Sequence, residues 1–207
     1  MQGSRLGRPR KIDDAALIAS FYRVHLRKGP TSWTLADVAL EAGVVPATLV
    51  QRFQSKIGLM AAAIDSGAEE LAGLTQRSLE GRASPLAALH ATIPVLTHGI
   101  EDPTMMANSL AQLHVELSHE ELRPRVQAYS AHIVEVFQTI AAAAIEMGEL
   151  GGIDADRLGG IIYTTWSGAL VTYAISGQGE LTAWVSGAID QVLGPYMVHS
   201  PEPIPIQ

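Results

Sequence analysis

The sequence predicts an all-α fold in two parts, a small three-helix unit ahead of a larger helical domain. Three observations predict it. Apolar residues recur at helical spacing throughout the 207 residues, and no run of alternating β-branched residues interrupts them. Gly and Pro divide the pattern into segments of ordinary helix length. Charge divides the chain as well: residues 1–60 hold nine Lys/Arg against four Asp/Glu, while the remainder holds five against seventeen.

The elements follow in order. The first helix is predicted over residues 13–28, with Asp13 and Asp14 at its positive end, Arg27 and Lys28 at its negative end, and Gly29-Pro30 as the stop. Thr34 opens a short helix through residue 42, with Asp37 completing an imperfect capping box and Gly43 ending it. Pro46 suits the first position of a third helix reaching Phe53. Ser55 caps a long fourth helix extending to about residue 79. Five more are predicted over 85–98, 104–118, 120–146, 154–176 and 180–193, and the proline-rich segment 200–207 is not helical.

Composition excludes several chemistries. Hydrophobic residues make up 47% and charged residues 17%, so the chain has the apolar content for a real core and too little charge for disorder. Low charge also suits a surface partly hidden against a second copy. There is no cysteine, which removes disulfides, thiolate metal sites and cysteine nucleophiles. The start MQGSRLGRPRK has no apolar stretch of signal-peptide type, so a cytoplasmic location is expected. Residues 158–179 carry no charge and have the length of a membrane span, but their Thr, Ser, Tyr and Gly content suits a buried helix, and no membrane association is expected. The basic front on an acidic body assigns contact with a polyanion to the front alone.

The segment 34–59 is the most informative. Two short helices joined at Gly43 form a helix-turn-helix, with Ala39 small at the crossing and Val38, Val44, Leu49 and Phe53 spaced to share a core. Ala47, Thr48, Gln51 and Arg52 are left on the outer face of the second helix. Such a helix fits the major groove, where Arg can read guanine and Gln adenine. On spacing alone an ordinary helical hairpin fits equally well.

Here the sequence resembles the DNA-binding domain of the TetR family of transcriptional regulators. The resemblance lies in Thr34, Ala39, Ala42-Gly43-Val44, Thr48-Leu49, Phe53 and Ser55-Lys56, and covers roughly residues 12–60. Four positions depart from the family pattern: Val45 stands for Ser/Thr, Ala47 for Gly, Val50 for Tyr and Gln54 for Pro. The resemblance implies phosphate contacts by Thr34, Thr48 and Lys56, the last at a helix N-terminus. Gln51 and Arg52 are the candidate base readers. Ahead of this unit, GRPRK at residues 7–11 is similar to an AT-hook core, in which Arg8 and Arg10 enter a narrow minor groove and Lys11 adds charge. The expected DNA-facing set is thus Arg8, Arg10, Lys11, Thr34, Pro46, Ala47, Thr48, Gln51, Arg52 and Lys56.

The acidic domain contains no nucleophile elbow, P-loop or dinucleotide fingerprint, so no catalytic residue and no cofactor is expected. His114 and His119 are five apart and diverge on a helix, so no metal site is expected either. His90, Met105, Met106, His114, Tyr129, Phe137, Tyr163 and Trp166 are adaptable or amphipathic side chains on the middle helices. The resemblance implies that such residues enclose a small, mostly apolar effector, although each of them also suits plain core packing. It likewise implies a homodimer through the last two helices, where Gly168, Ala169, Val171, Ala183, Trp184, Gly187, Ala188 and Val192 offer small or apolar surface. Two recognition helices would then meet successive major grooves of a palindromic operator about 34 Å apart.

The division expected is a basic arm at 1–11, a three-helix helix-turn-helix DNA-binding domain at 12–55, a helical effector-binding and dimerisation domain at 56–195 and a flexible tail at 196–207. As implied by the resemblance, the chain is a dimeric repressor released from double-stranded DNA by its effector. Helix four would transmit the release, its Gly58, Gly67 and Gly73 lowering its stiffness. Two other readings stay open: an effector-independent architectural DNA-binding protein, and an all-α enzyme.

Overall fold

The computed structural model describes residues 12–82 and 84–198. Among them the chain forms ten α-helices. The basic arm and the tail beyond residue 198 lie outside the described residues.

Helix α1 (Asp14–Lys28) begins where the Asp13 side chain accepts from the Ala16 N–H at 2.9 Å, and buries Leu17, Phe21 and Val24 on one face. Gly29 ends it at φ +74°. Helix α2 (Leu35–Ala42) has a complete capping box: the Asp37 N–H donates to Thr34 Oγ1, and the Thr34 N–H donates to the Asp37 carboxylate. The expectation of an imperfect box is corrected, because Asp37 reaches back as well as Glu would. Gly43 sits in the left-handed region at φ +69°, and the Val44 N–H closes onto Ala39 O at 2.9 Å. Helix α3 (Pro46–Phe53) follows with no side-chain cap at Val45.

Helix α4 (Lys56–Leu71) starts at the Ser55 cap but stops short of the expected residue 79. The chain turns at Ala72-Gly73, Gly73 taking φ +88°, and a separate α5 (Leu74–Leu79) continues. Only a residue without Cβ adopts that φ cheaply, so this glycine breaks the helix rather than softening it. Five longer helices build the body: α6 (Pro85–Leu96), α7 (Pro103–Ser118), α8 (Arg123–Glu146), α9 (Ala155–Ser176) and α10 (Leu181–Leu193). A 3₁₀ turn (Gly194–Tyr196) and an antiparallel bridge between Leu150 and Met197 tie the chain after α10 to the loop following α8.

Two cores result. The front core joins Leu17, Phe21, Trp33, Val38, Leu49 and Phe53 to Leu59 and Met60 of α4 and to Leu122 and Val126 near the start of α8. The body core lies among α6 to α10 and includes Leu71 and Leu74 from α4 and α5. Helix α4 therefore contributes its first half to one core and its last residue to the other. Among the described residues, α8 is the one helix long and apolar enough to cross a membrane; here it packs against α4 to α7 and α9. The uncharged stretch noted in the sequence falls in α9 and does not meet that measure.

Candidate nucleic-acid interface

Helix α3 rests on the front core through Leu49 and Phe53, which lie four residues apart on one face. That seating turns Ala47 and Gln51 outward, with Val50 and Thr48 flanking them. Val45 and Val50 are 65% and 49% exposed, and Leu40 on the outer side of α2 is 82% exposed. Thr34 is exposed at the α2 cap, its hydroxyl accepting from the Asp37 N–H and donating to the Asp37 carboxylate. Pro46 is exposed at the leading end of α3. Helix α3 ends at Gln54, a non-glycine residue at φ +66°.

The two expected cationic contacts have partners inside the domain. Arg52 Nη1 donates to Asp14 Oδ1 at 2.6 Å and Nη2 to Ile12 O at 3.1 Å. Its guanidinium therefore spans from α3 to the beginning of α1, rather than projecting from the outer face. Lys56 Nζ donates to Pro30 O at 2.9 Å and Trp33 O at 3.0 Å, and lies 4.0 Å from the Trp33 ring centroid. Burial lowers its pKa. From the first residue of α4, where a phosphate contact is expected, Lys56 ties the α1–α2 connection to α4. Sequence spacing showed neither partner, because both contacts bridge more than twenty residues. Other ion pairs brace the outer side of α1: Glu41 accepts from Arg23 and Arg27, and Asp37 from Lys28. These bonds hold the pKa values of Glu41 and Asp37 below the usual carboxylate range. Arg8, Arg10 and Lys11 lie outside the described residues.

The contact between front and body is partly polar. Tyr22 of α1 donates its hydroxyl to Ala63 O of α4 at 3.0 Å, and burial pushes its pKa up, with Tyr129, Glu116 and Glu70 adding repulsion. A Cβ on Gly67 would stand 3.1 Å from the Tyr129 ring, so this glycine makes room for Tyr129 against α4. Burial likewise raises the pKa of Glu116, whose carboxylate accepts from Gln112 Nε2 at 2.9 Å.

Of the eight expected effector residues, the structure gathers five. Met106 and Phe137 are in the body core, and Tyr129, Tyr163 and Trp166 pack against it. The Trp166 ring centroid lies 6.4 Å from Phe137 and 6.0 Å from Tyr163. Trp166 Nε1 and Gln112 Oε1 are buried without a hydrogen-bond partner among the described residues. Gln112 was missed because its type carries no signal of its own; only burial singles it out. Three expectations are corrected. His114 is exposed on the outer side of α7, because α7 turns Met106 and Gln112 inward instead. His90 is half-buried outside the cluster, Nε2 3.1 Å from Asp190 Oδ1 of α10. Met105 is half-buried and outside the cluster. A cleft of about 190 Å³ opens at the α4–α5 break against α8, beside Gly73, His132, Glu135 and Thr139.

On α9 and α10 the expected contact residues divide. Gly168, Val171, Ala183 and Gly187 are exposed, Trp184, Ala188 and Val192 are half-buried, and Ile175 is 77% exposed beside them. Trp184 Nε1 lies 3.3 Å from Thr172 Oγ1, joining the two helices. Ala169 is a correction: it is buried in the protomer's own core, facing away from Gly168. Gly159 serves α8, since a Cβ there would stand 2.7 Å from the Gln138 backbone.

An all-α chain with a helix-turn-helix unit at one end of a helical body defines a class, and comparison with known structures says which. No family model matches the sequence, and no curated protein matches it either. Solved structures do match. A TetR transcription regulator from Haloarcula marismortui superposes with TM-score 0.72 at 16% identity over 89% of this chain and 97% of that one. A putative TetR-family regulator from Rhodococcus sp. gives TM-score 0.64 at 22% identity, covering 87% and 98%. The transcriptional regulator FadR from Bacillus subtilis, solved with stearoyl-CoA, gives 0.65 at 19% identity, covering 87% and 98%. The chain has the fold of the TetR-family transcriptional regulators.

Proposed function

We propose that this chain is a TetR-family transcriptional regulator: a cytoplasmic homodimer that represses from a palindromic operator and leaves it when a small, mostly apolar effector binds. One observation carries the reading. Helix α3 is held by Leu49 and Phe53 so that Ala47, Thr48 and Gln51 face out, at the end of the chain that carries the positive charge surplus. Thr34, Pro46, Ala47, Thr48 and Gln51 form the described DNA face, and Arg52 and Lys56 border it while bracing the domain; minor-groove contact falls to Arg8, Arg10 and Lys11, outside the described residues. The exposed apolar strip at Val171, Ile175, Ala183 and Gly187 supports self-association, since a patch of this kind marks an interaction site. The unpaired buried atoms of Trp166 and Gln112 support a ligand in the body, because unpartnered buried polar groups are costly until something satisfies them. The Tyr22–Gly67–Tyr129 contact supports transmission between ligand and DNA face.

Footprinting of the purified protein on its own upstream region tests this reading. A discrete palindromic footprint that an apolar effector abolishes is expected. Diffuse protection would point instead to an architectural protein. Because linkage is reciprocal, operator DNA must weaken effector binding by the factor by which effector weakens DNA binding.

A further inference from the structure

The side chains free to read bases on α3 are all uncharged. Val45, Pro46 and Ala47 lead the helix, and Val50 flanks it; all four are apolar and exposed. Thr48 and Gln51 are the polar groups on this face, and neither side chain has a hydrogen-bond partner among the described residues. The cation within α3 is committed elsewhere, as Arg52 is held by Asp14 Oδ1 and Ile12 O. Lys56, the next cation along the chain, is held by two carbonyls and the Trp33 ring. Guanine shows two acceptors in the major groove and is read mainly by Arg or Lys; thymine shows a methyl group and is read by apolar contact; adenine is read by Gln or Asn.

Resting on the DNA-binding reading above, we propose that α3 specifies A·T pairs, with Val45, Ala47 and Val50 meeting thymine C5-methyl groups and Gln51 pairing with adenine. The departure at Val45 then has a purpose: a side-chain N-cap is given up for a methyl-reading surface at the end of the helix that enters the groove. Val50 does the same where the related pattern places a phosphate-contacting hydroxyl.

The test selects sites for the full-length protein from random duplex DNA, then replaces each thymidine of the selected half-site by deoxyuridine, which removes the methyl and leaves the base pairing. The expected site has A·T pairs at its most constrained positions, and deoxyuridine at two or more of them weakens binding about fourfold each, the worth of burying one methyl-sized group. Val45→Ser removes both side-chain methyl groups and should abolish the deoxyuridine effect at one position only. A discrete site centred on essential G·C pairs, or one indifferent to deoxyuridine, overturns the thymine reading and leaves the regulator reading standing. Failure to select any discrete site overturns both.

Discussion

Arg52 and Asp14 form an ion pair at 2.6 Å that fastens the end of the candidate recognition helix to the first residue of α1. The pair is partly exposed, so its own contribution to stability is modest, at most about 1 kcal/mol. Its consequence lies in geometry, since it decides where the one cation of α3 points.

Asp14→Asn should release the Arg52 guanidinium to DNA. Affinity should rise at low salt, and the slope of log K against log salt should steepen by about 0.9, one counterion's worth. Filter binding between 50 and 200 mM salt, chosen as roughly the working range of such measurements, reads the slope. An unchanged slope would mean that the Ile12 carbonyl alone holds Arg52 back.

Lys56→Ala should act on stability more than on DNA. It strands the Pro30 and Trp33 carbonyls and removes a cation from the Trp33 ring, which together should cost about 1–3 kcal/mol. Urea denaturation measures the loss. If stability is unaffected while the salt slope falls by about one, Lys56 is a phosphate contact after all.

His25 stacks on Phe21 at 4.8 Å between ring centroids, and burial lowers its pKa to about 4. The unfolded chain therefore takes up a proton near pH 6.5 that the folded chain refuses until about pH 4. Stability should be complete above the unfolded value and fall as pH drops through this window, by about 3 kcal/mol in all. His25→Phe should remove that share of the acid sensitivity in unfolding curves taken at pH 7.5 and, conveniently, about 4.5. Glu116, whose pKa burial raises, contributes with the opposite sign: its destabilising charge is lost as pH falls. An equally steep pH dependence in His25→Phe would assign the effect to other groups.

Ile175→Asp should weaken self-association without harming the protomer, because this side chain is 77% exposed on the single chain. A rise of at least about tenfold in dimer dissociation constant is expected by sedimentation equilibrium, or about 1.4 kcal/mol. An unaltered constant would move the interface off this strip.

Most of the helices were legible in the sequence, and so were most of their starts, because capping is local. Asp13, Thr34, Ser55, Ser84, Asp102 and Asp154 each accept from a backbone N–H three residues on. Gly43 and the Leu49/Phe53 pair likewise placed the helix-turn-helix and the outward turn of Ala47 and Gln51. Partners remote in sequence were not legible. Arg52 and Lys56 read as DNA contacts, and the sequence did not show that Asp14, Pro30 and Trp33 also engage them. Gly58 read as a source of flexibility, yet a Cβ there would stand 1.9 Å from Phe53 O, so its role is to let α4 start directly beneath the end of α3. Ala169 and Gly168 are neighbours in sequence and face opposite ways, one into the core and one into solvent. Local chemistry determines where a helix begins and which of its residues share a face; which neighbour meets that face is decided only when distant segments compete for the same space and the same hydrogen-bonding groups.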